Sequence, residues 1–421
     1  MTLAMLMSAV SILTGWIPLI FGGMFAWMAG CLLWRFVPLR SKVQGAVLAG
    51  IGVAGIMLGN QAGVAVDWQH VVAGNTGLIS MLAAVSFLRL IAAPRQAQQN
   101  PPPTGRRSIW STLLGVHFFG AVVNLPTVFI MARHMARDGN LQHDQYGVLV
   151  KGFAAAAFWS PFFAAMAAAL TYAPGASLSL LLIFGAPLAA FALLSAAYQT
   201  QQVFSRAKNM PVHKFEGYPM NLAGLWLPAV LALVILLVHG WRPELSVLGL
   251  ISLLAPVVTL ITLLLRRRPV GRDLLSHIWV GLPAMHAELV LFLSAGVMAV
   301  GISGAVVAFE ITLPFQHYGA IEAAMVLVAL VALAIVGVHP IVGIGAAAAV
   351  ITPLNPDPSL LASTFLAAWG IGIAVSPLSA LNLAMQATYR IKAVEILRAN
   401  YRFGAALLVF AGVLFTLHPG A

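Results

Sequence analysis

The stretch "GVHPIVG", residues 337–343, lies in the middle of an apolar run from Ala323 to Ile351. A single helix crossing a bilayer has no use for a histidine, a proline and two glycines at its centre. Glycine permits a tight backbone and proline ends a helix, so Gly337, Val338, His339 and Pro340 are expected to form the tip or break of a re-entrant hairpin over 321–352. A near-copy, "GVHFFG" at 115–120, sits in a second unusual segment, 109–132. The repetition points to two related halves.

Composition sets the class. Hydrophobic residues make up 61% and charged residues 8%, with mean hydropathy +0.95; soluble domains run at roughly 45–50% apolar and about 25% charged. Apolar runs long enough to span a bilayer recur along the chain, so the fold class is an all-α polytopic membrane protein. The opening "MTLAMLMSAV" lacks a basic region ahead of its apolar residues, and the first run is expected to be a retained helix rather than a leader. Cys31 is the single cysteine. It excludes an intramolecular disulfide and a cysteine-based metal cluster, and reads as a packing or lipid-facing residue. The net charge of +11 is spread over short inter-helix loops, the pattern of orientation by positive loops and not of a nucleic-acid surface.

Ten spans are expected, near 7–34, 43–60, 75–93, 147–172, 177–198, 223–239, 245–265, 288–309, 359–384 and 404–417. Threading 109–132 and 321–352 as same-side returns places the basic clusters together. Arg35, Arg40 and Lys42, then Arg89, Arg95, Arg106 and Arg107, fall on the inner side. So do Arg133, Arg137 and Lys151, the group Arg206, Lys208 and Lys214, and the two later clusters at 266–272 and 390–402. Only Arg242 of the 22 lysines and arginines is left outside. Each half then has five crossings and one hairpin. An odd number of crossings inverts the second half, giving a 5+5 inverted repeat of the kind that many secondary transporters use. The expected organisation is a first repeat over 1–198, a cytoplasmic linker over 199–222 and a second repeat over 223–421. "QAQQNPPPTGRRS" reads as a loop and "RRRPVGRDLLSHIWVG" as a short amphipathic stretch.

Each hairpin precedes a span with Ser-Pro inside it: Ser160-Pro161 in 147–172, and Ser376-Pro377 in 359–384. Proline removes a backbone donor, and in a bilayer the freed groups survive only inside protein or beside a wet cavity. Two readings stay open, a plain proline kink and a broken helix whose half-helix N-terminus favours an anion. Around Pro126, "VVNLPTVF" offers Asn124 and Thr127 in an apolar setting. His117 and His339 follow the same Gly-Val; each is read as packing, capping a broken backbone or facing a substrate, with proton coupling the weaker use. Neither has a second ligand at metal spacing. Glu288, Glu310, Glu322 and Asp357 flank spans and are expected at membrane surfaces, so no carboxylate relay is read from mid-span. Trp159 and Trp369 read as packing, and no phosphate-binding loop is present.

With these motifs in hand ("NLPT", "GVHP" and the two Ser-Pro sites), the chain resembles the ion transporter superfamily. That group includes divalent-anion/sodium symporters, arsenite and citrate permeases and the large membrane subunit of TRAP transporters. The resemblance covers most of the chain through its organisation, but only these short motifs carry it. It implies a substrate and sodium site between two hairpins and two broken helices, moved by an elevator mechanism. Carried over, it implicates Asn124, Thr127, Ser160, Ser376, Ser379 and Asn382, to which the residue reading adds His339. The paired Ser-Asn-Thr signatures of dicarboxylate symporters are missing, so a dicarboxylate is not implied. The expected function is secondary transport of a small organic anion across the inner membrane, driven by Na+ or H+, without a bound cofactor, by a homodimer surrounded by lipid. An alternative is a non-transporting scaffold or assembly subunit, which would be marked by large soluble domains or tails. An enzyme would need a catalytic constellation at one face, and none is read here.

The threading predicts that loops at Arg206 and Arg267 are cytoplasmic and that "PLNPDPS" (353–359) faces outside. Single cysteines placed there in a Cys31→Ser background should react with an impermeant thiol reagent on intact cells only at 353–359. Labelling of the Arg206 loop without permeabilisation would overturn the threading.

Overall fold

The computed structural model describes residues 1–92, 103–206, 215–219, 226–267, 269–311 and 313–421. Most of the loop before the first hairpin, with Arg95, lies outside them, as do Lys208 and Lys214 of the linker, and Arg268. The described chain is helical, with two isolated backbone bridges. Eight of its helices are long and apolar enough to cross a membrane.

The first five elements are α1 (Thr2–Thr14), α2 (Leu19–Leu33), α3 (Leu39–Gln61), α4 (Trp68–Ala73) and α5 (Thr76–Ser86). The single span expected at 7–34 is therefore two helices. Gly15 closes α1 in the left-handed conformation at φ 67°, and Pro18 starts α2. The two pack against each other, with Ser8 opposite Gly22. A Gly-Trp-Ile-Pro turn inside a continuous apolar run escaped a reading based on hydropathy alone. The span expected at 75–93 starts earlier, at Trp68, and is broken at Gly74–Asn75 before α5 and the short α6 (Arg89–Ala92).

The segment 109–132 is a helix pair, α7 (Arg106–Val123) and α8 (Pro126–Met135), joined at Asn124–Leu125. Then come α9 (His143–Ala156) and α10 (Ala164–Tyr172), separated by a non-helical break, and the long α11 (Leu178–Arg206). Helix α11 runs through positions 199–206, so the linker expected from 199 begins later. Lys151, counted above among cytoplasmic loop bases, lies inside α9 and is 5% exposed. Counting it by sign alone, without asking whether an apolar helix encloses it, misplaced it.

The second half comprises α12 (Trp226–Trp241), α13 (Val247–Leu265), α14 (Val270–Ser276) and α15 (His286–Ala308). One π-helical turn at His277–Gly281 joins α14 towards α15. The segment 321–352 is again a helix pair, α16 (Ala320–Ile335) and α17 (Pro340–Ile351), and 359–384 is again broken, into α18 (Pro358–Val375) and α19 (Ala380–Tyr389). Helix α20 (Ala393–Thr416) ends the fold. Proline opens α8, α17 and α18, where its missing N–H costs nothing. Glu288 and Glu322 lie in first turns and Asp357 caps α18 by accepting from the Leu360 N–H, places where negative charge complements the helix dipole.

The most intimate contact is between α3 and α15, which run parallel. Gly45 faces Val290 and Ser294, Gly52 faces Val297, Gly55 faces Gly301 and Gly59 faces Gly304. In a membrane, helix association relies on close van der Waals packing, and small residues let backbones touch. A Cβ on Gly55 would sit 2.2 Å from the Gly301 carbonyl oxygen, and one on Gly301 would sit 2.1 Å from that of Gly52. Gly50, by contrast, has nothing within 4 Å of its Cβ direction. Gly55→Ala and Gly301→Ala should each cost about 1–3 kcal/mol by forcing the helices apart, lowering the melting temperature of the purified protein. Gly50→Ala should leave it unchanged or slightly raised; equal melting of all three would contradict the seam.

Candidate functional site

The two broken helices share one local architecture. Ahead of the first break, the Ser160 N–H still bonds to the Ala156 carbonyl; ahead of the second, the Ser376 N–H bonds to that of Gly372. The following prolines, Pro161 and Pro377, cannot continue the ladder. Each serine hydroxyl then turns sideways to the hairpin. Ser160 Oγ donates to the Ala121 carbonyl at 2.6 Å, in the last turn of α7, and Ser376 Oγ donates to the Ala334 carbonyl at 2.5 Å, in the last turn of α16. Both hydroxyls also accept a backbone N–H two residues on, from Phe162 and Leu378, at 3.2 Å in each case. Helix C-termini leave carbonyls without partners; Ser160 satisfies that of Ala121, and Ser376 adds a second donor to that of Ala334, which also accepts the Gly337 N–H, while each serine braces its break. Both are 1% exposed. Their hydroxyls act as clasps within the protein.

Further bonds tie each module together. At the first hairpin tip Asn124 adopts φ 62°, and its Nδ2 donates to the Phe162 carbonyl at 3.2 Å. The second tip places Gly337 at φ 100°, against the side chain of Leu378. Left-handed backbone favours glycine and asparagine, so both tips use a residue that tolerates it. Thr127 is fully buried, and its Oγ1 has no partner among the described residues. In the second module Ser379 caps α19 by accepting from the Asn382 N–H and donates to the Ile373 carbonyl at 3.1 Å. Asn382 Nδ2 donates to the carbonyls of Ser376 at 2.8 Å and Ile373 at 3.1 Å. Asn124, Thr127 and Ser160 thus gather in one module, and Ser376, Ser379 and Asn382 in the other.

The modules meet along α9 and α18. Tyr146 Oη donates to Asn382 Oδ1 at 2.7 Å, and the Phe158 ring lies over Gly370. Tyr146 near the start of α9 meets Asn382 of α19, and Phe158 just past the end of α9 meets Gly370 of α18, so the two broken helices, 143–172 and 358–389, run antiparallel. Two freed carbonyls at matching places are treated differently: that of Ala374 accepts from Asn400 Nδ2 at 2.9 Å, while that of Phe158 packs against α11 where Gly185 leaves room.

The histidines part company. His117 lies within α7, well before the tip, and is 3% exposed. Its Nδ1–H donates to the Gly152 carbonyl at 3.3 Å and its Nε2 accepts from Trp159 Nε1 at 3.1 Å. With both nitrogens engaged it is a packing residue. His339 stands in the second tip and caps α17, its Nδ1 accepting from the Ile341 N–H at 3.3 Å. Its ring meets Trp369 edge-on at 5.7 Å between centroids, and it lines a small cavity with Leu330, Ala334, Val338, Gly343 and Ala368. That cavity abuts the carbonyl that Ser376 holds. Sequence reasoning missed Tyr146 and Asn400, polar residues inside apolar helices whose partners lie far along the chain.

Ser160→Ala strands the Ala121 carbonyl and the Phe162 N–H, and Ser376→Ala strands the Leu378 N–H while the Ala334 carbonyl keeps the Gly337 N–H. Ser160→Ala and Ser376→Ala should each cost about 1–3 kcal/mol, seen as a lower melting temperature. Ser303→Ala, at an exposed hydroxyl that bonds within its own helix, should stay within about 0.5 kcal/mol of wild type. Wild-type melting in both clasp variants would contradict the assignment.

No protein-family model matches the chain, and no curated protein matches it. Among solved structures it is similar to the YdaH transporter of Alcanivorax borkumensis, described as having an unusual topology. The two share 11% identity, with 88% of this chain and 84% of the other covered and a TM-score of 0.40.

Proposed function

We propose that the chain is a secondary transporter of a small organic anion, working at the inner membrane and coupled to Na+ or H+. The observation that carries this reading is the paired clasp, Ser160 on Ala121 and Ser376 on Ala334, repeated in two modules that cross antiparallel. On this reading the halves are copies of one inverted unit, and inverted units meeting at broken helices provide a site that can open to either face.

The anion preference follows from the backbone. Helices α8, α10, α17 and α19 each begin inside the protein at a tip or a break. Free N–H groups and the dipole at such starts favour negative charge. Asn124, Thr127, Ser379, Asn382 and His339 stand at these starts or within their first turn and are the proposed substrate contacts. Ser160 and Ser376 hold the frame that positions them. The α3–α15 seam, with backbones in contact, is suited to stay fixed. Helix α17 packs on α15, a contact along which an elevator movement would slide.

The test is a thermal-shift screen of purified protein against organic acids in sodium and in potassium, followed by uptake into proteoliposomes. At least one acid should raise the melting temperature, by the mass-action stabilisation that binding confers, and should accumulate under an imposed Na+ or H+ gradient. His339→Ala should reduce that uptake severalfold while melting within a few degrees of wild type. Absence of gradient-driven uptake for every acid that binds would contradict transport.

A further inference from the structure

Lys151 has no role in the reading above, yet it is the most costly side chain in the interior. Ionisable groups inside a membrane protein are functional candidates by default, and buried charges normally have an opposite charge beside them. Lys151 has none among the described residues. Its Nζ donates to Gln199 Oε1 of α11 at 2.9 Å and to the Ala399 carbonyl of α20 at 3.4 Å, and lies 5.4 Å from the centre of the Phe403 ring. All three partners are neutral.

The elements packed on α9 carry their charges elsewhere. On α7, Arg106 and Arg107 are exposed at the N-terminus, Leu113 and Val116 meet α9 at Gly152, and His117, the titratable group of α7 that faces α9, bonds to the Gly152 carbonyl and to Trp159. On α8, Arg133 and His134 are exposed. Helix α18 has no charged residue, nor has α11 from Leu178 to Gln202. On α20, Glu395 lies 3.8 Å from His143 of α9, and Arg398 and Arg402 are exposed. Asp144 of α9 bonds to the Gln145 N–H.

We infer that Lys151 is a proton-binding site that couples the α9–α11–α20 contact to the α18–α19 break, making H+ the coupling ion of the proposed transporter. This rests on the transport reading for its purpose, though not for its test. With the proton bound, the ammonium draws a side-chain oxygen of α11 and a backbone oxygen of α20 towards α9. When an N–H bond breaks and the proton passes to a solvent water that reaches the slightly exposed side chain, the neutral amine attracts those oxygens far less. Ala399 precedes Asn400, whose Nδ2 holds the Ala374 carbonyl in the last turn before Ser376. Loss of the proton therefore slackens the anchor of the broken helix.

Hydrogen exchange tests this without any solute. In lipid nanodiscs, protection of amides over 370–382 in the wild type should fall about tenfold between pH 6.5 and pH 9 after correction for intrinsic exchange. The response should vanish in Lys151→Met, which cannot carry the proton, and in Lys151→Arg, which does not release it. Should the Met variant fail to fold, Lys151→Gln is read in the same way. A wild type without the pH response, or a Met or Gln variant that keeps it, would overturn the inference. A solute-uptake failure with the exchange response intact would instead fault the transport reading and leave the proton site standing.

Discussion

The fold depends on one constraint: backbone groups released inside a membrane-embedded protein must find partners within it. Proline at 161 and 377 interrupts two buried helices, and each interruption strands N–H and carbonyl groups where water cannot reach them. The serine before each proline resolves the problem twice over, closing the local turn and reaching across to a hairpin. A broken helix and its hairpin are thereby one mechanical unit. Asn124 and Gly337 at the tips, and Asn382 and Asn400 beside the second break, extend the same solution.

The two units differ in how much polarity they keep. Around the second break Ser379, Asn382 and Asn400 bind the loose backbone and Tyr146 holds Asn382, whereas around the first the equivalent surroundings are Phe163, Met166 and Phe184, and the carbonyl of Phe158 is packed against Gly185. Both breaks are held by hydrogen bonds, and the second draws more of them from side chains around it. Hydrogen bonds can be exchanged for water or ligand at little net cost, so the second break is the side better suited to rearrange. Lys151 lies one peptide unit from the network that holds it.

The helical character, both helix pairs and both Ser-Pro breaks were legible in the sequence because proline and glycine inside apolar runs have few physical explanations. The break at Gly15–Pro18 was not, since its flanks are equally apolar and hydropathy carries no turn signal there. Lys151 was misread because a positive charge near other positive charges looks like a loop; its burial is a tertiary fact. The resemblance of "GVHFFG" to "GVHPIVG" suggested a shared motif without strict equivalence, since His117 lies nearer its hairpin's start, and only His339 has a following proline and stands at a tip. The matching positions are instead Asn124 with Gly337 and Pro126 with Pro340. Tyr146 and Asn382 could not be paired from sequence, because nothing local indicates which distant helix a buried amide will meet.

The central claim is that the two units cross antiparallel, and cysteine cross-linking tests it most directly. In a Cys31→Ser background, Tyr146→Cys with Asn382→Cys and Phe158→Cys with Gly370→Cys should both join with a short bifunctional thiol reagent. The exchanged pairs, Tyr146→Cys with Gly370→Cys and Phe158→Cys with Asn382→Cys, should not. Efficient joining of the exchanged pairs, with the first two unreacted, would show a parallel crossing and contradict the account.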